Sequence, residues 1–533
     1  MSTRAAARRP AAAPRRAPSS PTVALVESAL VVTAWVAFAL WVGQGGPLVA
    51  YDAFRDMAYA HAILAGGLGL DPTLAGLPAW YPPGEPLVFA WISRLTHVPV
   101  VTLYATRVYW LGWAAPLAIF WLARRVWGRL AAWLALPCVL LGSYWWLVHA
   151  AMPMPSVQAV ALALATVIAW NEGARADGAV AGRWLVAAVL LAAFTMWVHP
   201  LCGAFALGSI ALHGVLSPWL ARGDAGARGR ALRALAVASG GALLSFPVLV
   251  QALGTRGVND APRHWFAPEL HQAAFALHAY TPLVWVAGLA GLAMSFRSWR
   301  ANGWLVAWFA FGVVGMLLGY AGHDHHARLP WTLPHEFQWH AQLALTLAAA
   351  FGIATLATRF ARRGASAASA TARAGWALAL AALAVGPGML HLQDAGRFVI
   401  PLNAAWQPFI HVADAVAAAT PAGAVIAAPP EASYFLAGLT GRRAVSLPAG
   451  HTNPAADPWV RAEDVDSLLT TRDEGRFVEL VRRHHVQALL LPAALTPGEP
   501  AEARLSARPE LHRIALPEPG WLAYRVELEG GER

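Results

Sequence analysis

Ionisable residues gather in one short stretch of this sequence, residues 51–86, directly after the first long apolar run. Only 13% of the chain is charged, yet this stretch contains Asp52, Arg55, Asp56, His61, Asp71 and Glu85. A carboxylate can accept a proton from a hydroxyl group, and a cation can stabilise a phosphate that carries developing charge. These residue types could therefore carry acid–base or phosphate chemistry, if the surrounding elements bring them together.

Composition limits what those elements can be. Of the 533 residues, 58% are hydrophobic and 26 are Trp, and the mean hydropathy is +0.47. A soluble protein of this size cannot bury so much apolar surface, so the sequence predicts a polytopic membrane protein. Cys138 and Cys202 lie in apolar runs and indicate neither a disulfide framework nor a thiolate metal site.

Long apolar stretches recur along the chain. A helix needs about 20 apolar residues to cross a bilayer, and these stretches are long enough. We predict about eleven transmembrane helices, with ten to twelve as the range because the neighbours around Ala151 and His199 merge. They cover roughly residues 23–43, 101–122, 130–149, 153–170, 184–199, 202–220, 232–253, 278–296, 303–321, 337–358 and 374–391.

The arginines between these stretches are distributed very unequally. Up to residue 391, one set of loops and the N-terminal tail carry 20 arginines, whereas the other set carries six. By the positive-inside rule, the N-terminal tail and the arginine-rich loops are expected in the cytoplasm. The loops with few arginines are expected on the outer side of the cytoplasmic (inner) membrane. The net charge of +10 is therefore explained by topology, and nucleic acid is not an expected partner.

The predicted domain organisation follows from this topology. Residues 1–22 form a basic cytoplasmic tail, and residues 23–393 form an all-α transmembrane domain with an external loop at 44–100. From about Asp394 the composition becomes more charged, and "AVIAAP", "RAVSLP", "VQALLLP" and "WLAYRVEL" are typical of strands. With helices predicted in "AWQPFIHVADAVAAAT" and "GRFVELVRRHH", residues 394–533 should form a small external α/β domain.

The longer polar loops all fall on the predicted outer side, so a working site is expected at the external membrane surface. After Asp52, the spacing of Phe54, Met57 and Ile63 predicts a short helix lying along the interface. Asp52 and Asp56 would share one face of it, at positions i and i+4.

The residues from Asp52 to Leu87 resemble the corresponding segment of a known family. An acidic residue after the first span, an interfacial helix, "DP" and then "YPPGEPL" resemble the membrane glycosyltransferases of the C-type (GT-C) fold, which include protein mannosyltransferases and lipid A aminoarabinose transferases. "ATRVYWLGWAAPLAIFWLARRVWG", "LPHEFQWHAQLALTLAAAFGI" and "ATPAGAVIAAPPEASYFLAGLTGRRAVSLPAG" are similar to later segments of the same family.

The resemblance implies an enzyme that transfers a sugar from a polyprenyl-phosphate donor to a glycan, lipid or protein acceptor. Asp52 matches the catalytic acidic position and would be the base, although Asp is also a favoured helix N-cap. Asp56 is a substrate-binding candidate or merely a partner of Arg55, itself a candidate in the same loop. An arginine inside a span is costly, so Arg107 is expected to bind phosphate unless it snorkels to the interface.

The remaining candidates are less specific. Arg328 is a second phosphate ligand candidate. Tyr81 and Glu85 of "YPPGEP" could line the acceptor entrance, or this rigid turn could simply begin a second interfacial helix at residues 87–95. The segment "HTNPAAD" (451–457) is interpreted as an ordinary loop, although it could also face the site. His199, which precedes Pro200, is interpreted as a structural residue and not as a catalytic one.

Histidines cluster near the tenth predicted span. "HDHH" (323–326), with His335, Glu336 and His340, suggests ligands for a divalent metal, although the spacing fits no tight template. His335 and Glu336 are also substrate-binding candidates. No cofactor is certain from sequence, because some members of the family use a divalent metal and others work without one.

Two other functional classes remain as alternatives. A transporter or flippase of envelope lipids or glycans should carry ionisable groups at mid-membrane on paired, broken helices. Here the spans are almost free of acids except Glu27, near the cytoplasmic start of the first span. A scaffold for an envelope complex would explain an external domain but not the charges around Asp52.

Overall fold

The computed structural model describes residues 20–528, apart from 45, 50, 68, 153, 222–223, 255–281, 325–333, 364–369, 391, 393–395, 397–405 and 494–500. The described part contains a helical region followed by an α/β unit, referred to below as the C-terminal unit (residues 406–528). The predicted boundary near Asp394 falls among residues outside this description and stays a prediction.

Helices dominate the first 390 residues. They are α1 Pro21–Gly43, α2 Ala53–Leu64, α3 Gly84–Thr96, α4 Val100–Trp110, α5 Ala114–Val126, α6 Arg129–Leu140, α7 Tyr144–Ala151, α8 Pro155–Arg175, α9 Gly178–Val198, α10 Pro200–Leu220, α11 Ala227–Leu244, α12 Phe246–Gly254, α13 Pro282–Arg297, α14 Trp299–Asp324, α15 Pro334–Arg363 and α16 Ala370–Val385. A short 3-10 helix follows at Gly386–Gly388.

Prolines explain where two of the merged apolar stretches divide. Pro200 occupies the first turn of α10, where its missing N–H costs nothing. A residue before proline is driven out of the α conformation, and His199 is indeed extended, with φ −153° and ψ 106°. Pro155 begins α8 in the same way after the extended Met154. The chain therefore forms separate helices on each side of these residues.

Six described helices are long and apolar enough to cross a membrane: α1, α8, α9, α10, Trp299–Gly319 of α14 and Glu336–Ala361 of α15. A seventh span results if α3 and the α4–α5 segment, which bend by 106° at their junction, count as one. Three further predicted spans coincide with shorter apolar helices, Arg129–Leu140, Leu283–Arg297 and Thr371–Val385. The chain is therefore a multi-pass, mainly helical membrane protein, as the sequence predicted.

The C-terminal unit is built on one five-stranded sheet. Its helices are α17 Phe409–Ala419, α18 Pro430–Thr440, α19 Pro458–Thr470, α20 Glu474–His484 and α21 Ala501–Ser506; its strands are β1 Val425–Ala427, β2 Arg443–Ala444, β3 Val486–Pro492, β4 Leu511–Ile514 and β5 Trp521–Val526. The strand order is β2-β1-β3-β5-β4, with parallel pairs at β2-β1-β3 and antiparallel pairs beyond. The four predicted strands and two predicted helices are confirmed, and β4, α18, α19 and α21 are additional.

Helix α2 lies between the helical region and the C-terminal unit. The sequence predicted an interfacial helix with one polar face, and this is wrong for its first two turns. Residues 53–60 are all buried, including Arg55 and Asp56, because α3, α4 and α18 all pack against this helix. Asp52 and Asp56 consequently differ in environment: the Asp52 side chain is 35% exposed, whereas that of Asp56 is fully buried.

The contact between α2 and α18 depends on one glycine. A Cβ atom on Gly438 would lie 2.7 Å from both Cα and the carbonyl oxygen of Phe54. Neither backbone can move easily, so we expect Gly438→Ala to destabilise the docked C-terminal unit by roughly 1–3 kcal/mol. The measurement is the thermal unfolding midpoint of the purified protein, with Gly520→Ala as the control because nothing lies within 4 Å of a Cβ there. Equal midpoints for both variants would contradict this close packing.

Candidate active site

Asp52 immediately precedes α2 and has helical backbone angles, φ −59° and ψ −25°. Its side chain makes no capping hydrogen bond to the helix, although such a bond is what normally favours Asp at this position. The alternative role of Asp52 as a helix cap is therefore unsupported by the geometry. A carboxylate that is partly exposed and not engaged with its own helix is free to meet a solute.

The C-terminal unit supplies the nearest polar neighbour of Asp52. Nδ1 of His451 lies 3.4 Å from Oδ1 of Asp52 and 3.2 Å from the hydroxyl oxygen of Tyr434. The rings of Tyr51, Tyr434 and His451 pack against one another with centroid separations of 4.8–4.9 Å. Segments from both ends of the chain thus meet around this carboxylate.

Arg55 lies one helical turn after Asp52. Its Nε donates a hydrogen bond to Oδ1 of Asp56 at 3.3 Å, and its Cζ lies 3.3 Å from the centre of the Tyr81 ring, a cation–π contact. Tyr81 is itself held in place, because the backbone N–H groups of Trp80 and Tyr81 donate to the hydroxyl of Tyr59 on α2. Among the described residues, the terminal nitrogens of Arg55 donate no hydrogen bond, so their N–H groups remain available to donate to an anionic ligand.

The electrostatic environment keeps Asp52 ionised. Burial raises the pKa of this carboxyl, but His451 and Arg55, with smaller contributions from His199 and His149, bring it below its usual value. Burial also lowers the pKa of His451 and of His199 to about 4, so both imidazoles are neutral at pH 7. Among the groups that lower the pKa of Asp52, Arg55 is consequently the one that is charged at that pH.

A second, fully buried layer lies beneath Asp52 and Arg55. It contains Asp56, Glu85 and Arg107, and Glu85 interacts with both of the others. Arg107 forms an ion pair with Glu85 and lies over the rings of Tyr104 and Phe89, at 5.2 and 5.7 Å. Neither snorkelling nor direct phosphate binding describes Arg107 in this arrangement, because its side chain has no solvent exposure and faces a carboxylate.

The "YPPGEP" segment has one of the two roles that the sequence left open, the start of a helix. It begins α3 at Gly84, close to the residues at which the second interfacial helix was predicted. It also places Tyr81 on Arg55 and Glu85 on Arg107. These contacts, with the Arg55–Asp56 bond, bring five of the predicted site residues into one cluster around Asp52.

The buried Asp56 carboxyl gives a pH-dependent prediction. Burial raises its pKa to about 7, against the opposing charge of Arg55, from an ordinary value near 3.8. Between these values the folded state holds a proton that the unfolded state releases, so stability falls as pH rises through this window. We expect the unfolding midpoint of wild type to fall between pH 5 and 8 relative to that of Asp56→Asn, because comparing the two proteins cancels the opposite pH dependence of buried histidines such as His451 and His199.

The control for this experiment is Asp414→Asn, the same change at an exposed position of α17. It should keep the pH dependence of wild type. A wild-type midpoint that rises from pH 5 to pH 8, with the same slope in Asp56→Asn, would contradict the assignment.

The predicted candidates before and at the start of α15 are described only in part. Glu336 interacts electrostatically with Asp52, Arg55 and Tyr81, so it faces the same cluster. The side chain of His335 lies outside the description, as do Arg328 and most of "HDHH". His340 is fully buried, between the rings of Phe205 and Trp339.

Metal binding finds no support in the part of the chain that is described. No group of three or more His, Cys, Asp or Glu side chains there could hold an ion. No step of the chemistry below is routed through a metal.

His451 and Tyr434 are the site residues that the sequence did not identify. The "HTNPAAD" segment was noticed but interpreted as an ordinary loop. In the structure Asn453 donates to Oδ2 of Asp71 at 2.8 Å and to the Pro78 carbonyl at 2.9 Å, which ties this segment to the loop between α2 and α3. The sequence did contain a signal for this contact. The loop is rich in side chains that can form hydrogen bonds with backbone groups, although the chain around it is largely apolar.

Solved glycosyltransferase structures share this architecture. The oligosaccharyltransferase AglB from Archaeoglobus fulgidus, in complex with an inhibitory peptide and a dolichol-phosphate, matches with a TM-score of 0.59 and 11% identity over 88% of this chain and 70% of that one. ArnT from Cupriavidus metallidurans matches with a TM-score of 0.56 and 14% identity, over 94% of this chain and 98% of that one. The arabinofuranosyltransferase AftD from Mycobacteria matches with 0.57 and 15%, over 95% of this chain but only 40% of that one.

No family model matches the sequence, and no curated protein matches it either. At identities of 11–15% the structural likeness shows the fold. The chain therefore has the GT-C fold, as the sequence predicted.

Proposed function

We propose that the protein is an integral membrane glycosyltransferase that transfers a sugar from a polyprenyl-phosphate donor to an acceptor hydroxyl. The single observation that carries the proposal is the ionised, partly exposed Asp52 with Arg55 one turn away, within a GT-C fold. AglB, which shares the fold, binds a dolichol-phosphate, which supports a lipid-linked phosphate as the donor class.

The residues fit the reaction in a simple way. The acceptor oxygen bonds to the anomeric carbon while Asp52 takes the hydroxyl proton. The bond between that carbon and the phosphate oxygen breaks, and its electron pair leaves with the polyprenyl phosphate. Arg55 would stabilise the charge on this phosphate. Arg328, which lies outside the described residues, is the second candidate for this role. Tyr81 and Glu336 would line the sugar pocket.

Asp56, Glu85 and Arg107 would then support the site from below without touching substrate. This revises the role that the sequence suggested for Arg107. The Arg55–Asp56 bond connects this buried layer to the cation that faces the donor. The side chains above it are thereby held in one orientation, which catalysis by positioned charges requires.

The proposed location follows from the arginine distribution. The tail and the arginine-rich loops would face the cytoplasm, and the site with the C-terminal unit would face the outside of the cytoplasmic membrane. Helix α1 would be exposed to lipid, since Leu25, Val26, Leu30 and Trp41 on it are each at least 53% exposed.

The test is sugar transfer by purified protein in detergent from a panel of synthetic polyprenyl-phosphate sugars to mixed glycan, lipid and peptide acceptors. Transfer from at least one donor is the expected result. If no donor is used, while the protein moves an envelope lipid or glycan across reconstituted vesicles, the transporter alternative replaces this proposal.

A further inference from the structure

We propose that the C-terminal unit supplies a positioning residue for this reaction: His451 holds the Asp52 carboxylate in the orientation in which it accepts the acceptor proton. The inference rests on the proposed function and extends it, because it makes the C-terminal unit part of the catalytic site. His451 would act through Asp52 without touching the substrate.

The geometry around Asp52 requires such a partner. The carboxylate makes no capping hydrogen bond to its own helix and is partly exposed, so within the described residues its helix does not fix its orientation. Nδ1 of His451 at 3.4 Å is the polar contact that the structure gives it. A carboxylate that must meet a hydroxyl proton gains rate from being held in a near-attack orientation.

His451 is itself held firmly enough to position another group. It is only 8% exposed, and its ring packs on Tyr51 and Tyr434. The backbone N–H of His451 donates to the Pro448 carbonyl at 2.8 Å. Two residues later, Asn453 ties the chain to Asp71. The imidazole is therefore fixed both to the C-terminal unit and to the loop beneath it.

A neutral imidazole suits this role better than a cation. A protonated His451 would hold Asp52 strongly but would also reduce its affinity for a proton. Burial keeps the pKa of His451 low, so the ring carries no charge at pH 7. In the tautomer that carries its proton on Nδ1, this N–H is shared between Oδ1 of Asp52, at 3.4 Å, and the Tyr434 hydroxyl oxygen, at 3.2 Å. Arg55 is the permanent cation among the other described titratable groups that interact with Asp52. These groups are Arg55, His149, His199, Glu336, Asp56, Tyr51, Tyr81 and Tyr434.

The experiment compares two substitutions of His451. Phe keeps the ring packing and removes the donor, whereas Asn places an amide N–H near the position of Nδ1. We expect His451→Phe to lower kcat about 10- to 100-fold, the range for one hydrogen bond to a charged group, with little change in KM for the donor. His451→Asn should recover much of the loss. His411→Phe, at an exposed position of α17, is the matched control and should behave as wild type.

Two further readouts separate positioning from structural support. Loss of a bond to the ionised carboxylate raises its pKa, so the acid limb of the pH–rate profile should move to higher pH in His451→Phe. In an Asp52→Asn background, His451→Phe should cause no additional loss. Full activity of His451→Phe with an unchanged acid limb would overturn the inference, and so would an equal loss in both backgrounds.

Failure of the proposed function has a different signature. If wild type transfers no sugar, the contact is tested through the pH dependence of carbodiimide labelling at Asp52, identified by mass spectrometry. A midpoint at higher pH in His451→Phe than in wild type would retain the positioning role, and coincident midpoints would reject it.

Discussion

Replacement of Asp52 by Asn should lower the rate of sugar transfer by about two to four orders of magnitude, the range that general base catalysis contributes. An amide has nearly the shape of the carboxylate but cannot take up the proton, so donor binding should persist. Because Asp52 makes no capping bond, the substitution should also leave the thermal unfolding midpoint within the small range of surface changes. The measurements are initial rates, donor affinity and the unfolding midpoint.

Asp414→Asn makes the same chemical change at an exposed position of the C-terminal unit and should be fully active. The contrary result is equally clear. If Asp52→Asn transfers sugar at the wild-type rate but unfolds at a lower temperature, Asp52 is a structural residue and the proposed base must be sought among Glu336 and the other acids that face it.

The sequence could predict the parts of this fold that depend on local pattern. Apolar length predicted the membrane helices, and alternation with turn residues predicted four of the five strands. The predicted span at 130–149 divides into two short helices, α6 and α7, which a rule based on apolar length does not separate. The division at His199, by contrast, has a local cause in Pro200.

The candidate site was predictable only as a region. Proximity to the first span drew attention to Asp52, Arg55 and Asp56, and the structure brings them together. The contact of Asp52 with His451 and the burial of α2 under α18 arise from docking of distant segments. Nothing in the local pattern around either residue encodes such a contact. The amphipathic spacing in α2 was real, but a second surface covers its polar side.

Arg107 is a second residue whose contacts could not be predicted from the sequence. An arginine inside a span correctly indicated an unusual site, but the sequence could not say what the guanidinium faces. Glu85 lies 22 residues earlier, on a different helix, and forms an ion pair with Arg107. The arginine side chain in this pair has no solvent exposure. Since α3 and α4 are joined by a sharp bend, this ion pair connects the two arms of the bend.

We therefore expect Arg107→Met to destabilise the protein by about 3–5 kcal/mol, because it leaves the Glu85 carboxylate buried without its partner. The double variant Glu85→Leu/Arg107→Met should recover most of this loss, since replacing a whole buried pair by apolar residues is often neutral or stabilising. Arg94→Met, at an exposed position of α3, should change stability by no more than about 0.5 kcal/mol. Unfolding midpoints in detergent provide the comparison.

Donor affinity in the same variants distinguishes the pair from a phosphate ligand. Nε and Nη2 of Arg107 have no hydrogen-bond partner within the described residues, so an anion that entered the cluster would find donors there. If Arg107 acts only through Glu85, the double variant should fold and bind the donor as wild type does. If the double variant is stable but has lost donor binding, the guanidinium reaches the lipid phosphate, and the buried pair is the resting arrangement of a residue that opens to its substrate.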